Sequence, residues 1–98
     1  MKIMISQPMR GKTNEEIRQE RAELVKKLEM QGHKVVDTIF TEKMPIECDM
    51  AMYLLAKSIE AMSKVDAVVF MRGWQDTRGC RIEHQVAVDY GKFIKEEQ

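Results

Sequence analysis

Ile3-Met4-Ile5 is an unbroken apolar run closed by Ser6-Gln7-Pro8, the mark of a short strand buried on both faces. Beyond it, Ile17, Leu24, Val25 and Leu28 recur at helical spacing, with Glu and Arg filling the positions between. Thr13 followed by Glu16 fits a capping box, so this helix is expected to begin at about Asn14. Gly32 supplies its stop. Lys34-Val35-Val36-Asp37-Thr38 is a second short strand. Ile39 to Cys48, broken by Pro45, has no period and reads as a loop. From Asp49 a second helix is expected, with Met52, Leu55, Ile59 and Met62 as its apolar stripe. Asp66-Ala67-Val68-Val69-Phe70-Met71 is the strongest strand pattern of the chain. A glycine-bearing loop, Arg72 to Gly79, leads into a third helix running to about Tyr90. Gly91 ends that helix, and Lys92-Phe93-Ile94 reads as a last strand.

The resulting order, β-α-β-α-β-α-β with helices long enough to cross over, specifies an α/β three-layer sandwich. Its centre is a flavodoxin- or Rossmann-like parallel sheet of four to five strands with helices on both faces. With 98 residues the chain allows a single domain, residues 1–98. Sixteen Lys and Arg balance sixteen Asp and Glu, so the basic footprint of a duplex nucleic-acid binder is missing. A formal charge of zero also disfavours a bare monomer in solution, and a homo-oligomer (dimer or tetramer) is expected. No apolar run approaches the ~18–20 residues of a membrane span. Cys48 and Cys80 are too few for a disulfide framework, so reduced thiols and a cytoplasmic location are expected. The nine Met residues are read as an adaptable core.

In open parallel sheets, ligands sit beyond the carboxyl ends of the strands, where strand order reverses. Two loops here leave strands and enter helices, residues 6–13 and 72–79. Both carry Gly, Arg and hydroxyl side chains, and both lead to helix N-termini that favour anions. An ordinary capped turn explains Gly11-Lys12-Thr13 equally well.

Glu83 is the informative residue. Taking Ile82 as the origin and ~100° per residue, Val86 falls near ~40°, Tyr90 near ~80° and Ala87 near ~140°, with Glu83 inside that arc near ~100°. A carboxylate aimed at the sheet needs partners or a task. An ion pair with Arg10 or Arg78 is the structural alternative. Cys80 at a helix N-terminus is a nucleophile or, more simply, a small buried residue. His33 reads as a solvated turn histidine, and His84 as projecting from the polar side of its helix. Trp74 is either a stacking wall for a ring or a lid over the core. Asp66 caps or pairs locally, and Glu20-Arg21 and Lys26-Lys27 read as a solvated helix face. His and Cys do not converge at metal-ligand spacing, so no metal is expected.

Three segments resemble the nucleoside deoxyribosyltransferase superfamily, and more closely its small deoxyribosyltransferase-like branch, related to deoxynucleoside monophosphate N-glycosidases. They are Ile5-Ser6-Gln7-Pro8-Met9-Arg10-Gly11, Val65 to Phe70 leading to Gly73-Trp74, and Thr77-Arg78-Gly79-Cys80-Arg81-Ile82-Glu83-His84 followed by Ala87 and Tyr90-Gly91-Lys92. The resemblance covers almost the whole chain. It implies cleavage or exchange of an N-glycosidic bond in a nucleoside or nucleoside 5′-monophosphate, with Glu83 as nucleophile and a covalent glycosyl-enzyme intermediate. Water then makes a hydrolase, and a second base makes a transferase. The resemblance places Ser6, Met9, Arg10 and Gly11, with Thr77 and Gly79, around phosphate or sugar, and sets Trp74 or Tyr53 against the base. It implies no cofactor.

The Ser-x-Arg-Gly loop of the monophosphate-cleaving relatives is matched in part, through Arg10 and Gly11. Their Ser-x-Gly loop is matched by Thr77-Arg78-Gly79. The family's Asp in the helix before the third strand falls on Ser58, leaving protonation of the leaving group unassigned among Asp76, Glu60 and Cys80. That departure keeps open a non-catalytic nucleotide-binding sensor module of the same fold, and beyond it an oligomeric scaffold with a vestigial crevice.

Overall fold

The computed structural model describes residues 1–41 and 47–97. Four strands and three helices alternate: β1 (Lys2–Ser6), α1 (Asn14–Met30), β2 (Lys34–Val36), α2 (Met50–Met62), β3 (Ala67–Phe70), α3 (Arg78–Asp89) and β4 (Phe93–Glu96). All four strands are parallel, in the order β2-β1-β3-β4. This is the order of flavodoxin-like sheets, and the chain is an α/β three-layer sandwich.

The pleat of β1 sorts the core. Ile3 and Ile5 face one side with Ala67 and Val69, packed under Leu24, Val25 and Leu28 of α1. Met4 faces the other side with Val68 and Phe70, packed against Met62 of α2 and Ala87 of α3. Strands buried on both faces explain the unbroken apolar runs. Ser6 continues the Met4 side, so the exit of β1 points a hydroxyl at α3.

The helix ends follow the expected chemistry. The Thr13 hydroxyl accepts from the Glu16 N–H while the Glu16 carboxylate accepts from the Thr13 N–H, completing the capping box. Helices α1 and α3 stop alike. Gly32 and Gly91 adopt φ of +90° and +69°, and the next N–H reaches back to Leu28 and Ala87 respectively.

Some boundaries differ from expectation. β2 stops at Val36, because Thr38 turns inward to bond the Ile5 carbonyl and Asp37 caps the Ile39 N–H. β4 begins at Phe93, since the Lys92 N–H is used to end α3. The loop before α3 contains a short 3-10 turn, Trp74–Asp76. Pro45 and its immediate neighbours, read as a loop, lie outside the described residues. α2 is apolar for most of its length yet fully buries only Met62, leaving Met50 and Met52 exposed. Among the described residues no helix is long and apolar enough to cross a membrane.

Candidate functional site

From β1 the chain crosses to β2 on one side, and β3 then pairs on the other. The carboxyl ends of β1 and β3 therefore flank the point where strand order reverses. The Met71 N–H bonds the Ser6 carbonyl there and fixes the two exits together. Glu83, on the first turns of α3, reaches this point from above. It is 8% exposed, and the Ser6 hydroxyl, itself 1% exposed, donates to Glu83 Oε2 at 2.5 Å. Ser58 of α2 lies near the same carboxyl and favours its ionised form.

Burial pushes the Glu83 carboxyl above its ordinary value. The Ser6 and Ser58 hydroxyls and the charge of Arg21 oppose that rise without cancelling it. Among the described residues no cation pairs directly with Glu83, so the inward carboxylate is held by the Ser6 hydroxyl and not by an ion pair with Arg10 or Arg78. Cys80 lies one turn earlier and is buried near Ser6 and Glu83. Burial pushes its thiol up to about 11, so it is a packed neutral residue and no thiolate nucleophile.

On the opposite side of β1 stands a buried cation that the sequence reading had placed in solvent. Arg21 is 5% exposed, not part of a solvated face. Its position between Ile17 and Leu24 puts it within the buried stripe of α1, where the stem is covered on both sides. Its Nε donates to Gln7 Oε1 at 2.8 Å and its Nη1 to Thr38 Oγ1 at 3.2 Å. Gln7 in turn donates to the Ile17 carbonyl and to Glu20, and Lys12 closes the set on Glu20 at 2.9 Å. Among the described residues Nη2 of Arg21 finds no hydrogen-bond partner, and the atom is buried. Gln7, Arg21 and Thr38 were not among the candidate residues. The available signal was a charged residue falling on the apolar stripe of α1.

The two loops meet, but their predicted anion ligands do not all converge. A Cβ on Gly73 would stand 3.6 Å from Pro8 Cγ, and Gly73 adopts φ of +89°. Met9 is half-buried and its carbonyl accepts from the Lys12 N–H across a turn at Gly11, φ +78°. Arg10 and Gly11 are exposed, and among the described residues Arg10 has no ion-pair partner. Thr77 is the N-cap of α3, but its side chain makes no capping bond. Its hydroxyl turns to the Gly73 carbonyl at 3.5 Å. The first-turn N–H groups of α3, Gly79 included, are therefore left without a side-chain cap.

His84 does not project into water. It stacks on Trp74 at 4.1 Å, meets the Phe70 ring edge-on at 4.9 Å, and bonds Glu96 through Nε2 at 2.7 Å. An imidazole ring covers apolar area as well as it hydrogen-bonds, so aromatic neighbours compete with solvent for it. Trp74 is half-buried, packed against the core cluster and tilted over Phe70 with ring centroids 5.6 Å apart. Asp66 pairs locally, accepting from the Lys2 N–H at 2.9 Å. His33 contacts the Met1 amino group.

Neither of two surface cavities is lined by Glu83. One of about 260 Å³ lies between β2 and α2 against Val36, Phe40 and Ala61. The other, about 290 Å³, runs along α1. Of the three groups considered as acids beside Glu83, Asp76 and Glu60 are exposed and form no bond to it. Cys80 is the one that sits beside it. Among the described residues no three His, Cys, Asp or Glu side chains converge as a metal site.

A family model described as Domain of unknown function (DUF4406) matches residues 1–96, and the chain belongs to that family. No curated protein matches it.

Proposed function

We propose that this member of the family is an N-glycosidase or deoxyribosyltransferase acting on a nucleoside or nucleoside 5′-monophosphate, with Glu83 as nucleophile. One observation carries the reading: a buried carboxyl, without an ion-pair partner among the described residues, held by the Ser6 hydroxyl at the strand-order reversal of a parallel sheet. An enzyme that needed Glu83 only for stability would gain more from an apolar side chain there. The resemblance to the deoxyribosyltransferase-like proteins points the same way, since their nucleophilic Glu falls on this position and their Asp falls on Ser58, which lies near enough to Glu83 to favour its ionised form.

The ionised carboxylate attacks the anomeric carbon of the sugar. The carbon–oxygen ester bond forms as the glycosidic bond breaks, the base leaves with that electron pair, and it takes a proton from solvent. Water cleaves the ester to give the free sugar, or a second base displaces Glu83 to give an exchanged nucleoside. Ser6 orients the carboxylate before attack, and Ser58 favours its ionised form. The uncapped N–H groups of Gly79 and Cys80 at the start of α3 favour the phosphate of a monophosphate substrate.

The experiment is release of free base from a panel of deoxynucleosides and their 5′-monophosphates. Glu83→Ala is expected to lower the rate by about 10³-fold or more. Because only the ionised form attacks, the rate is expected to fall as pH drops through the raised Glu83 value. Base release that is undiminished in Glu83→Ala overturns the reading.

A second reading has its own support. Ser58 supplies no carboxyl to protonate the leaving base, which suits a nucleotide sensor. Saturable binding without base release, retained in Glu83→Ala, is its signature. In either case the exposed Met50, Met52 and Tyr90 suit burial in a homo-oligomer, and cysteines not joined in a disulfide, Cys48 and Cys80, suit a reducing cytoplasm.

A further inference from the structure

A sheet ends in two edges, and an edge strand carries backbone groups with nothing opposite them. The edges here are β2 and β4, and they are not alike. Along a strand, the backbone groups of successive residues turn to alternate sides. The Lys34 N–H bonds the Met1 carbonyl, so in the three-residue β2 only Val35 turns its groups outward. In β4 the Phe93 and Glu97 N–H groups bond the Asp66 and Phe70 carbonyls on the β3 side. Ile94 and Glu96 therefore turn outward, and by the same alternation the Lys92 carbonyl stands in line with them. Among the described residues β4 pairs with β3 alone.

The side chains of β4 alternate between the two faces. Its register with Ala67 and Val68 puts Phe93 and Lys95 on the α1 face, and Ile94 and Glu96 on the α3 face. Helix α1 packs over β1, β2 and β3, and leaves that face of β4 uncovered. Phe93 is 66% exposed and the Lys95 side chain 56%. A large ring left in water on an open edge is a template for another strand.

Charge selects the occupant. A two-fold axis sets two copies of β4 antiparallel, with side chains opposite others of the same face. Because the faces alternate, the axis must pass through a residue that meets itself. Through Lys95 it opposes two ammonium groups, and through Glu96 two carboxylates. Through Phe93 it pairs little, since Gly91 leaves the strand with φ of +69°. Through Ile94 it sets Ile94 against Ile94, Phe93 against Lys95, and Lys92 against Glu96. No like charges meet there, and the Lys95 ammonium lies against the exposed ring. Lys92 keeps two donors beyond its bond to the Val65 carbonyl. The two Ile94 residues exchange backbone bonds, and each Glu96 N–H meets the Lys92 carbonyl of the other copy.

We propose that β4 is a self-complementary docking edge, at which a second copy of this chain adds its own β4 antiparallel about Ile94 and continues the sheet. This gives the expected homo-oligomer a surface and a register, and it holds whether or not Glu83 is a nucleophile.

Sedimentation equilibrium of the whole protein measures the association constant. Phe93→Lys opposes a lysine to Lys95 twice per dimer and is expected to weaken association about fivefold to thirtyfold. Adding Lys95→Glu to that variant sets opposite charges across the axis and is expected to bring association back to within about threefold of wild type. Both positions are exposed, so both variants are expected to fold, which circular dichroism checks. The Ile94 and Glu96 N–H groups are expected to exchange with solvent more slowly as concentration rises. A chain that stays monomeric up to about 1 mM overturns the proposal. Association that Phe93→Lys leaves unchanged also overturns it, and would place the contact on another surface, such as Met50 and Met52 of α2. A double variant that associates no better than Phe93→Lys, or exchange at Ile94 and Glu96 that ignores concentration in an associating protein, overturns it equally.

Discussion

Ser6 and Gln7 are neighbours at the exit of β1, and each holds a buried ionisable side chain from a different helix. Ser6 faces α3 and bonds Glu83, while Gln7 faces α1 and bonds Arg21. The two sites bury opposite charges, each held from an adjacent residue of the chain on opposite faces of β1, and they tolerate the burial by different means. A carboxyl can lower its desolvation cost by taking up a proton, and Glu83 is displaced in that direction. A guanidinium has no such exit, so Arg21 must be solvated by the protein itself, through an amide oxygen and a hydroxyl. The acidic side is therefore adjustable by pH and suited to chemistry. The basic side is fixed and suited to structure.

The largest effect that would break this comparison is Arg21→Ala. It strands Gln7 Oε1 and the Thr38 hydroxyl in the interior and opens a cavity under α1. The expected loss is about 3 kcal/mol of unfolding free energy, or more than about 10 °C in Tm. Because the guanidinium does not titrate, most of the loss is expected at every pH from mildly acidic to mildly alkaline, with a smaller part added above the raised Glu83 value, since the Arg21 charge favours the ionised carboxylate. Urea unfolding across that range is the measurement. A loss present only where Glu83 is ionised would mean that Arg21 works mainly through that neighbour, and the distinction between the two sides would fail.

Ser6→Ala should act in the opposite manner. The Ser6 hydroxyl stabilises the ionised carboxylate, so its removal raises the Glu83 value further. The folded state then loses about 1–2 kcal/mol at pH above that value, where Glu83 must ionise without its donor. Below the ordinary carboxylate range both folded and unfolded chains carry the proton, and most of the difference disappears. The Glu83 carboxyl carbon shift, followed by NMR against pH, reads the displacement directly. A midpoint that stays in place would remove Ser6 from any role in tuning the acid.

These two sites were unequally legible in the sequence. Glu83 shows itself because it breaks an apolar arc on a short helix, and a carboxylate there has few innocent explanations. Arg21 breaks an apolar stripe too, but a long side chain can carry its charge back to water from such a position, so the pattern alone does not separate the two outcomes. Its partners Gln7 and Thr38 lie 14 and 17 residues away in sequence and meet it only because β1 and β2 are adjacent in the sheet. The same holds for His84, whose place was decided by Trp74 and by Glu96 on a strand formed later in the chain. Local signals were read with more success. Thr13 with Glu16, and the glycines at 32 and 91, mark helix ends through bonds made within a few residues, so no tertiary arrangement can override them easily. Ser58 carries no such mark, since a serine on a half-buried helix face is ordinary, and the resemblance alone drew attention to it.

The smallest effect belongs to the substitution that removes the charge and keeps the shape. Glu83→Gln leaves an oxygen that can accept from Ser6 and replaces the group that burial disfavours when ionised. A carboxyl whose folded value is raised contributes its stability below the unfolded value, and that contribution is lost as pH rises through the folded one. At neutral pH and above, the wild-type protein bears that loss and the amide does not. Glu83→Gln is therefore expected to be more stable than wild type by about 0.5–2 kcal/mol at mildly alkaline pH, as is common when a functional charge is removed. The gain should shrink to nothing as pH falls into the ordinary carboxylate range, where the wild-type side chain is neutral as well. Thermal melts of the two proteins across this range measure it. Equal stability at alkaline pH would mean that Ser6, Ser58 and the Arg21 charge fully offset the burial of the carboxylate, and the acidic side would then be as fixed a structural element as the basic one.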